Sequence, residues 1–143
     1  MKKILILTGP NLNLLGTREP EIYGTTTLGD IENMCRNYAN ENGQEIDFRQ
    51  SNHEGFLIDW IQEGLEGFDG LVINAAAYTH TSIAIHDALK MLSIPIIEVH
   101  ISDPETREEF RHHSYVTSLA KAVIKGRGAK GYVEALAFLK ETV

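Results

Sequence analysis

The chain has 143 residues, close to the roughly 150 of an average domain, so residues 1–143 are expected to form one domain. Hydrophobic residues make up 43% and charged residues 23%, a globular composition that argues against disorder. Acidic residues outnumber basic ones 20 to 13, for a net charge of −7, which argues against gripping nucleic acid or an anionic membrane. Cys35 is the single cysteine, so neither an intrachain disulfide nor a thiolate zinc cage can form. The opening apolar run, residues 4–7, is too short for an export signal, and no stretch approaches a membrane span. The expectation is a soluble, cytoplasmic protein.

Apolar runs and helical patterns alternate along the chain. Residues 4–7 read as a buried strand ending at Thr8-Gly9-Pro10. Leu28, Ile31, Cys35, Tyr38 and Ala39 recur at helical spacing, with Thr27 and Asp30 forming a capping-box start. Residues 44–49 alternate as a second, more exposed strand, and Leu57, Ile61 and Leu65 mark a helix stopping near Gly67. Residues 70–73 form a third strand, followed by a helix carrying Ile83, Ile85, Ala88, Leu89 and Leu92. A fourth strand, 94–99, opens with Pro95, and helical patterns near 115–125 and 129–141 follow, separated by glycines. This alternation specifies an α/β fold, a doubly wound parallel sheet with helices on both faces.

In such a sheet ligands bind beyond the carboxyl ends of the strands, and the unusual polar residues fall there. The first strand is followed by a long connection, residues 9–24, and long loops in compact domains are commonly functional. Gln50-Ser51-Asn52-His53-Glu54 follows the second strand, Asn74 through Ser82 the third, and the fourth runs into Glu98-Val99-His100-Ile101-Ser102-Asp103. Four polar clusters at one sheet edge point to an enzyme acting on a small molecule.

Residue types narrow the chemistry. Glu98 and His100 are two apart in a strand and share a face, so the carboxylate can orient the imidazole and favour the charged form that a general acid needs. Tyr23 lies five residues after Arg18, and a tyrosine serves as a base when a nearby cation favours its phenolate. Every lysine reads as preceding the first strand or lying on or between helices, which argues against imine catalysis. Cys35 sits at an apolar helical position and reads as core rather than nucleophile. The histidines lack metal-ligand spacing, so no metal and no cofactor are expected. Gly126-x-Gly128-x-x-Gly131 matches a dinucleotide fingerprint literally, but it reads as following a helix, so it is taken as a helix-to-helix connection. Arg107, Arg111, His112 and His113 gather positive charge suited to an anionic substrate.

With these residues in place, the chain closely resembles the type II 3-dehydroquinate dehydratases, over nearly its whole length. The resemblance rests on Gly9-Pro10-Asn11-Leu12-Asn13-Leu14-Leu15-Gly16 with Arg18-Glu19-Pro20 and Tyr23-Gly24. It continues through Gln50-Ser51-Asn52-His53-Glu54-Gly55, Ala77-Tyr78-Thr79-His80-Thr81-Ser82, Glu98-Val99-His100-Ile101-Ser102 and Arg107 through Tyr115. It implies a flavodoxin-like fold and a single catalytic domain. The implied reaction is a shikimate-pathway lyase step, the reversible dehydration of 3-dehydroquinate through an enolate, without metal or Schiff base. Tyr23 would be the base, Arg18 would favour its phenolate, Asn11 would position a water at the oxyanion, and His100, oriented by Glu98, would protonate the leaving hydroxyl. Asn74, His80, Ile101, Ser102 and Arg111 would hold the substrate. The loop carrying Arg18 and Tyr23 would close as a lid. The family assembles as trimers, four forming a dodecamer, in which Asp87 would reach a neighbouring subunit's site.

Three positions depart from the family's usual pattern. Ala75-Ala76 stands where Pro-Gly is usual, which is expected to loosen the turn after the third strand. His86 replaces an arginine beside Asp87, and Asp103 replaces an asparagine. Other classes fit less well. A flavin mononucleotide carrier would need a Ser/Thr/Gly-rich phosphate loop after the first strand, and a receiver domain would need clustered aspartates. A catalytically dead scaffold is opposed by the intact Arg18, Tyr23, Glu98 and His100.

Overall fold

A computed structural model describes residues 1–17 and 19–142, the side chain of Tyr23 excepted. Five strands form one parallel sheet: β1 (Lys2–Thr8), β2 (Gln44–Gln50), β3 (Gly70–Asn74), β4 (Ile96–His100) and β5 (Ala122–Lys125). Their spatial order is β2-β1-β3-β4-β5, the flavodoxin-like order, whose direction of winding reverses between β1 and β3. The helices are α1 (Pro20–Tyr23), α2 (Leu28–Glu41), α3 (Glu54–Glu63), α4 (Ile83–Lys90) and α5 (Lys130–Glu141).

The alternation of side chains along each strand divides the core in two. Ile4, Ile6, Val72, Ile97 and Val99 face α2 and α5, where Ile31, Cys35, Tyr132 and Leu136 meet them. Leu5, Leu7, Leu71, Ile73 and Ile96 face α3 and α4 through Leu57, Ile61, Ile85 and Leu89. Both faces of β1 are covered, which is why its middle is an unbroken aliphatic run. Cys35 is a core residue, and burial, followed by the Glu32 charge, pushes its thiol up to about 12.

The capping box forms as its residues imply: Asp30 N–H donates to Thr27 Oγ1 at 3.1 Å and Thr27 N–H donates to Asp30 Oδ2 at 3.0 Å. Other elements differ from the sequence expectation. The helix α3 ends at Glu63, ahead of Gly67, so Leu65 falls outside it and is exposed. Ile83, in the first turn of α4, is likewise exposed. Pro95 stays outside β4, its carbonyl accepting from Leu71 N–H at 3.0 Å.

The largest correction is β5. Residues 122–125 form a strand paired with β4, not the end of a helix. Gly126-x-Gly128-x-x-Gly131 therefore does follow a strand and open a helix, α5. Its amides, however, are committed to the protein: Gly126 N–H donates to Ser102 O at 3.2 Å and Gly128 N–H to Ile101 O at 3.0 Å. Positive φ values of 72° and 62° at Gly126 and Gly128 let the chain bend back onto that peptide.

The turn after β3 is closed rather than loosened. Ala76 N–H donates to Asn74 Oδ1 at 3.1 Å, and Tyr78 N–H donates to Ala75 O at 3.1 Å. Ala76 holds φ at 52°, the left-handed region where a β-carbon is unfavourable. Ala76→Gly is therefore expected to stabilise the protein by about 1 kcal/mol, read as a higher denaturant midpoint at unchanged slope.

Candidate active site

The cleft lies over the carboxyl ends of β3, β4 and β5. One compartment is lined by His80, Glu98, His100, Arg111 and Lys125 among others. An adjoining one shares His80 and His100 and adds Asn74, Ile101, Ser102 and Arg107. These include seven of the residues marked from the sequence: Asn74, His80, Glu98, His100, Ile101, Ser102 and Arg111.

At the centre, Glu98 and His100 share one face at the end of β4. His100 Nε2 and Glu98 Oε2 are 2.5 Å apart, and Glu98 is almost wholly buried at 2% exposure. Burial alone would raise the Glu98 carboxyl. Hydrogen bonds from His100, Thr117 and Ser114, with the His100 charge, outweigh it and hold the group below the usual carboxylate range. An ionised Glu98 accepts the Nε2 proton and leaves the other imidazole nitrogen available to a ligand.

Around this pair stand groups suited to an oxygen-rich anion. His80 Nδ1 lies 2.7 Å from His113 O. A carbonyl partner requires a proton on Nδ1, so Nε2 of the neutral ring is an acceptor for a hydroxyl. Burial favours that neutral form, lowering the His80 pKa against the pull of the His113 carbonyl. Arg111 lies 3.2 Å from Glu108 with its guanidinium over the Phe110 ring. Asn74 is fixed from both sides: its Nδ2 donates to Tyr132 Oη at 2.8 Å, and its Oδ1 closes the turn after β3.

The remaining marked residues are placed differently. Asn11, at φ 69°, is exposed and lines neither compartment; its N–H donates to Asn52 Oδ1 at 2.9 Å. Asp87 is exposed on α4 and lines neither compartment. Arg18 and the side chain of Tyr23 lie outside the described residues.

The structure also supplies residues that the sequence reading left out. Lys125, the last residue of β5, lines the cleft, contrary to the expectation that no lysine stands at a strand's carboxyl end. Its Nζ is 2.9 Å from Glu105 Oε1 and 3.9 Å from Asp103 Oδ1, and the Glu105 hydrogen bond leads the causes that raise its pKa. It is a fixed cation rather than a free amine. Arg107, noted only as part of a basic cluster, reaches Ser102 Oγ at 3.4 Å and lies 4.0 Å from Glu19. The β-branched Val123-Ile124 followed by Gly126 is the signal that would have found β5, and with it Lys125.

Fold and cleft together define a small doubly wound α/β protein with a buried carboxylate–imidazole pair beside cationic and hydrogen-bonding groups, and comparison with known proteins gives the family. The family model described as dehydroquinase class II matches residues 2–140. The 3-dehydroquinate dehydratase of Variovorax paradoxus is 60% identical over 97% of this chain and 99% of that one. That of Caulobacter vibrioides is 58% identical over 92% and 90%. The crystal structure of type II dehydroquinase from Butyrivibrio crossotus superposes with a TM-score of 0.95 at 48% identity, covering 98% of each chain. The chain belongs to the class II dehydroquinase family, and it is an enzyme.

Proposed function

We propose that this enzyme catalyses the reversible loss of water from 3-dehydroquinate, giving 3-dehydroshikimate, as a cytoplasmic step of the shikimate pathway towards aromatic amino acids. The observation that carries this reading is the family match over residues 2–140.

In the proposed reaction Tyr23, with Arg18 favouring its phenolate, removes the proton beside the ketone. The charge that develops on the ketone oxygen is held as an enolate, with Asn11 positioning a water as donor. His100 then protonates the departing hydroxyl while Glu98 holds its ring, and the carbon–oxygen bond breaks as the double bond forms. Asn74, His80, Ile101, Ser102 and Arg111 hold the substrate's hydroxyls and carboxylate. The ionised Glu98 against His100 supports the acid assignment, because a carboxylate stabilises the imidazolium that must give up the proton. The scheme needs no metal. It needs no imine either, and the paired, protonated state of Lys125 agrees with that, since an amine must lose its proton to attack a carbonyl.

The active form is proposed to be a dodecamer of four trimers, with the exposed Asp87 reaching the partner subunit's Arg111. A continuous ultraviolet assay with 3-dehydroquinate, run with a chelator and with borohydride, tests the chemistry. The expected result is formation of the conjugated product at a rate that neither treatment changes. Substrate-dependent inactivation by borohydride would overturn the imine-free scheme, and well-folded protein forming no product would overturn the substrate assignment.

A further inference from the structure

Two hydroxyls outside the scheme above end on its buried carboxylate. Ser114 Oγ donates to Glu98 Oε2 at 2.9 Å, and Thr117 Oγ1 donates to Glu98 Oε1 at 2.6 Å. The direction of the first is forced. Ser114 Oγ also lies 3.1 Å from the N–H groups of both Val116 and Thr117. A hydroxyl has two lone pairs and one proton, so with both lone pairs accepting, the proton goes to Glu98. The 114–117 turn is thus a device that aims two donors at one buried carboxylate.

A buried carboxylate beside an imidazole can exist as an ion pair or as a neutral acid beside a neutral ring. Burial favours the neutral arrangement, and donors to the carboxylate favour the ion pair. Only the ion pair places the proton on His100, where the reaction uses it. We propose that Ser114 and Thr117 are positioning residues that keep the proton of the Glu98–His100 pair on His100. The kinetic consequence rests on the dehydratase reading, whereas the proton placement does not.

The sign follows from which state each donor touches. An O–H bond to Glu98 stabilises the carboxylate and not the carboxylic acid, so losing it raises the affinity of Glu98 for a proton. The acid limb of the rate profile then moves to higher pH, because protonated Glu98 no longer holds a charged His100. The other charged or titratable groups facing the pair are His80 from the turn after β3, Glu105, Arg107, Arg111 and His112 from the segment after β4, and Lys125 from β5. All of them remain in the variants.

The test uses Thr117→Val, which keeps the shape and removes the donor at a largely exposed residue, with Thr117→Ser as the variant that restores it. The Glu98 carboxyl is titrated by carbon-13 NMR in the intact protein, and kcat against 3-dehydroquinate is measured across pH. The expected result for Thr117→Val is a Glu98 midpoint about one pH unit higher. The acid limb of kcat should rise with it while KM changes by less than about twofold, and Thr117→Ser should behave as the parent. Ser114→Ala should shift the same midpoint upward, providing a second variant should Thr117→Val fold poorly. A Glu98 titration unmoved in a folded variant overturns the proposal whether or not the substrate turns over. A parent enzyme without dehydratase activity, in which the titration still moves, overturns the substrate assignment alone.

Discussion

Replacing His100 with alanine is expected to lower turnover of 3-dehydroquinate by about 10³-fold while leaving exchange of the substrate's α-proton with solvent deuterium measurable. The two steps of the proposed reaction use different groups. Proton removal falls to Tyr23 and depends on the Arg18 charge, whereas departure of the hydroxyl needs the proton that His100 carries. Without the imidazole the enolate can still form and be reprotonated, so deuterium enters the substrate and product does not accumulate. Tyr23→Phe should abolish exchange and turnover together while ligand binding survives, because only the proton acceptor is lost. The substitution at position 100 leaves Glu98 with the hydroxyls of Ser114 and Thr117, so the buried charge is not orphaned and the fold should persist. Loss of exchange in His100→Ala, or near-normal turnover in Tyr23→Phe, would sink the division of roles.

The second large effect concerns stability. Gly9→Ala is expected to cost about 3 kcal/mol, read from equilibrium denaturation. A β-carbon at position 9 would stand 2.6 Å from the Ala75 carbonyl oxygen, well inside any tolerable contact. Neither backbone can retreat cheaply. Gly9 N–H is bonded to Asn74 O at 2.9 Å, and the Ala75 oxygen itself accepts from Tyr78 N–H at 3.1 Å. The collision sits where β1 and β3 separate, at the reversal of winding, so relief by movement there would also displace Asn74. An alanine variant with the parent's denaturation midpoint would show that this approach is looser than its geometry implies.

Much of the architecture was legible because each long element carries its own signal. The aliphatic run of residues 4–7, stopped by Thr8-Gly9-Pro10, read as a buried strand because its flanking breakers leave no room for a helix, and Thr27 with Asp30 marked the start of α2. What failed was short. Ala122 to Lys125 spans four residues, too few for a periodicity to distinguish strand from helix, and misreading it also misplaced the glycine motif and hid Lys125. Leu65 was placed on the second helix because spacing says which residues share a face, not where a helix stops.

The cleft was legible to the extent that it is built from polar residues at strand ends. Glu98 and His100 announced themselves by a spacing of two. Ser114 and Thr117 did not, because a hydroxyl that serves a carboxylate from sixteen or nineteen positions away in sequence leaves no periodic trace. Asp87 was marked only through the family resemblance, and a lone chain offers it no partner in its own cleft.

The glycine turn after β5 has a consequence for the timing of order. Gly128 and Gly126 hold the carbonyls of Ile101 and Ser102, and the chain's peptide bonds are without exception trans among the described residues. In a trans peptide the N–H points opposite to the C=O, so pinning the Ile101 carbonyl to the turn fixes the Ser102 amide facing away from it. The orientation of that donor is settled when the chain folds, so a substrate held there as the proposed scheme requires would meet a rigid amide rather than one it must first immobilise. Binding would be spared that loss of freedom.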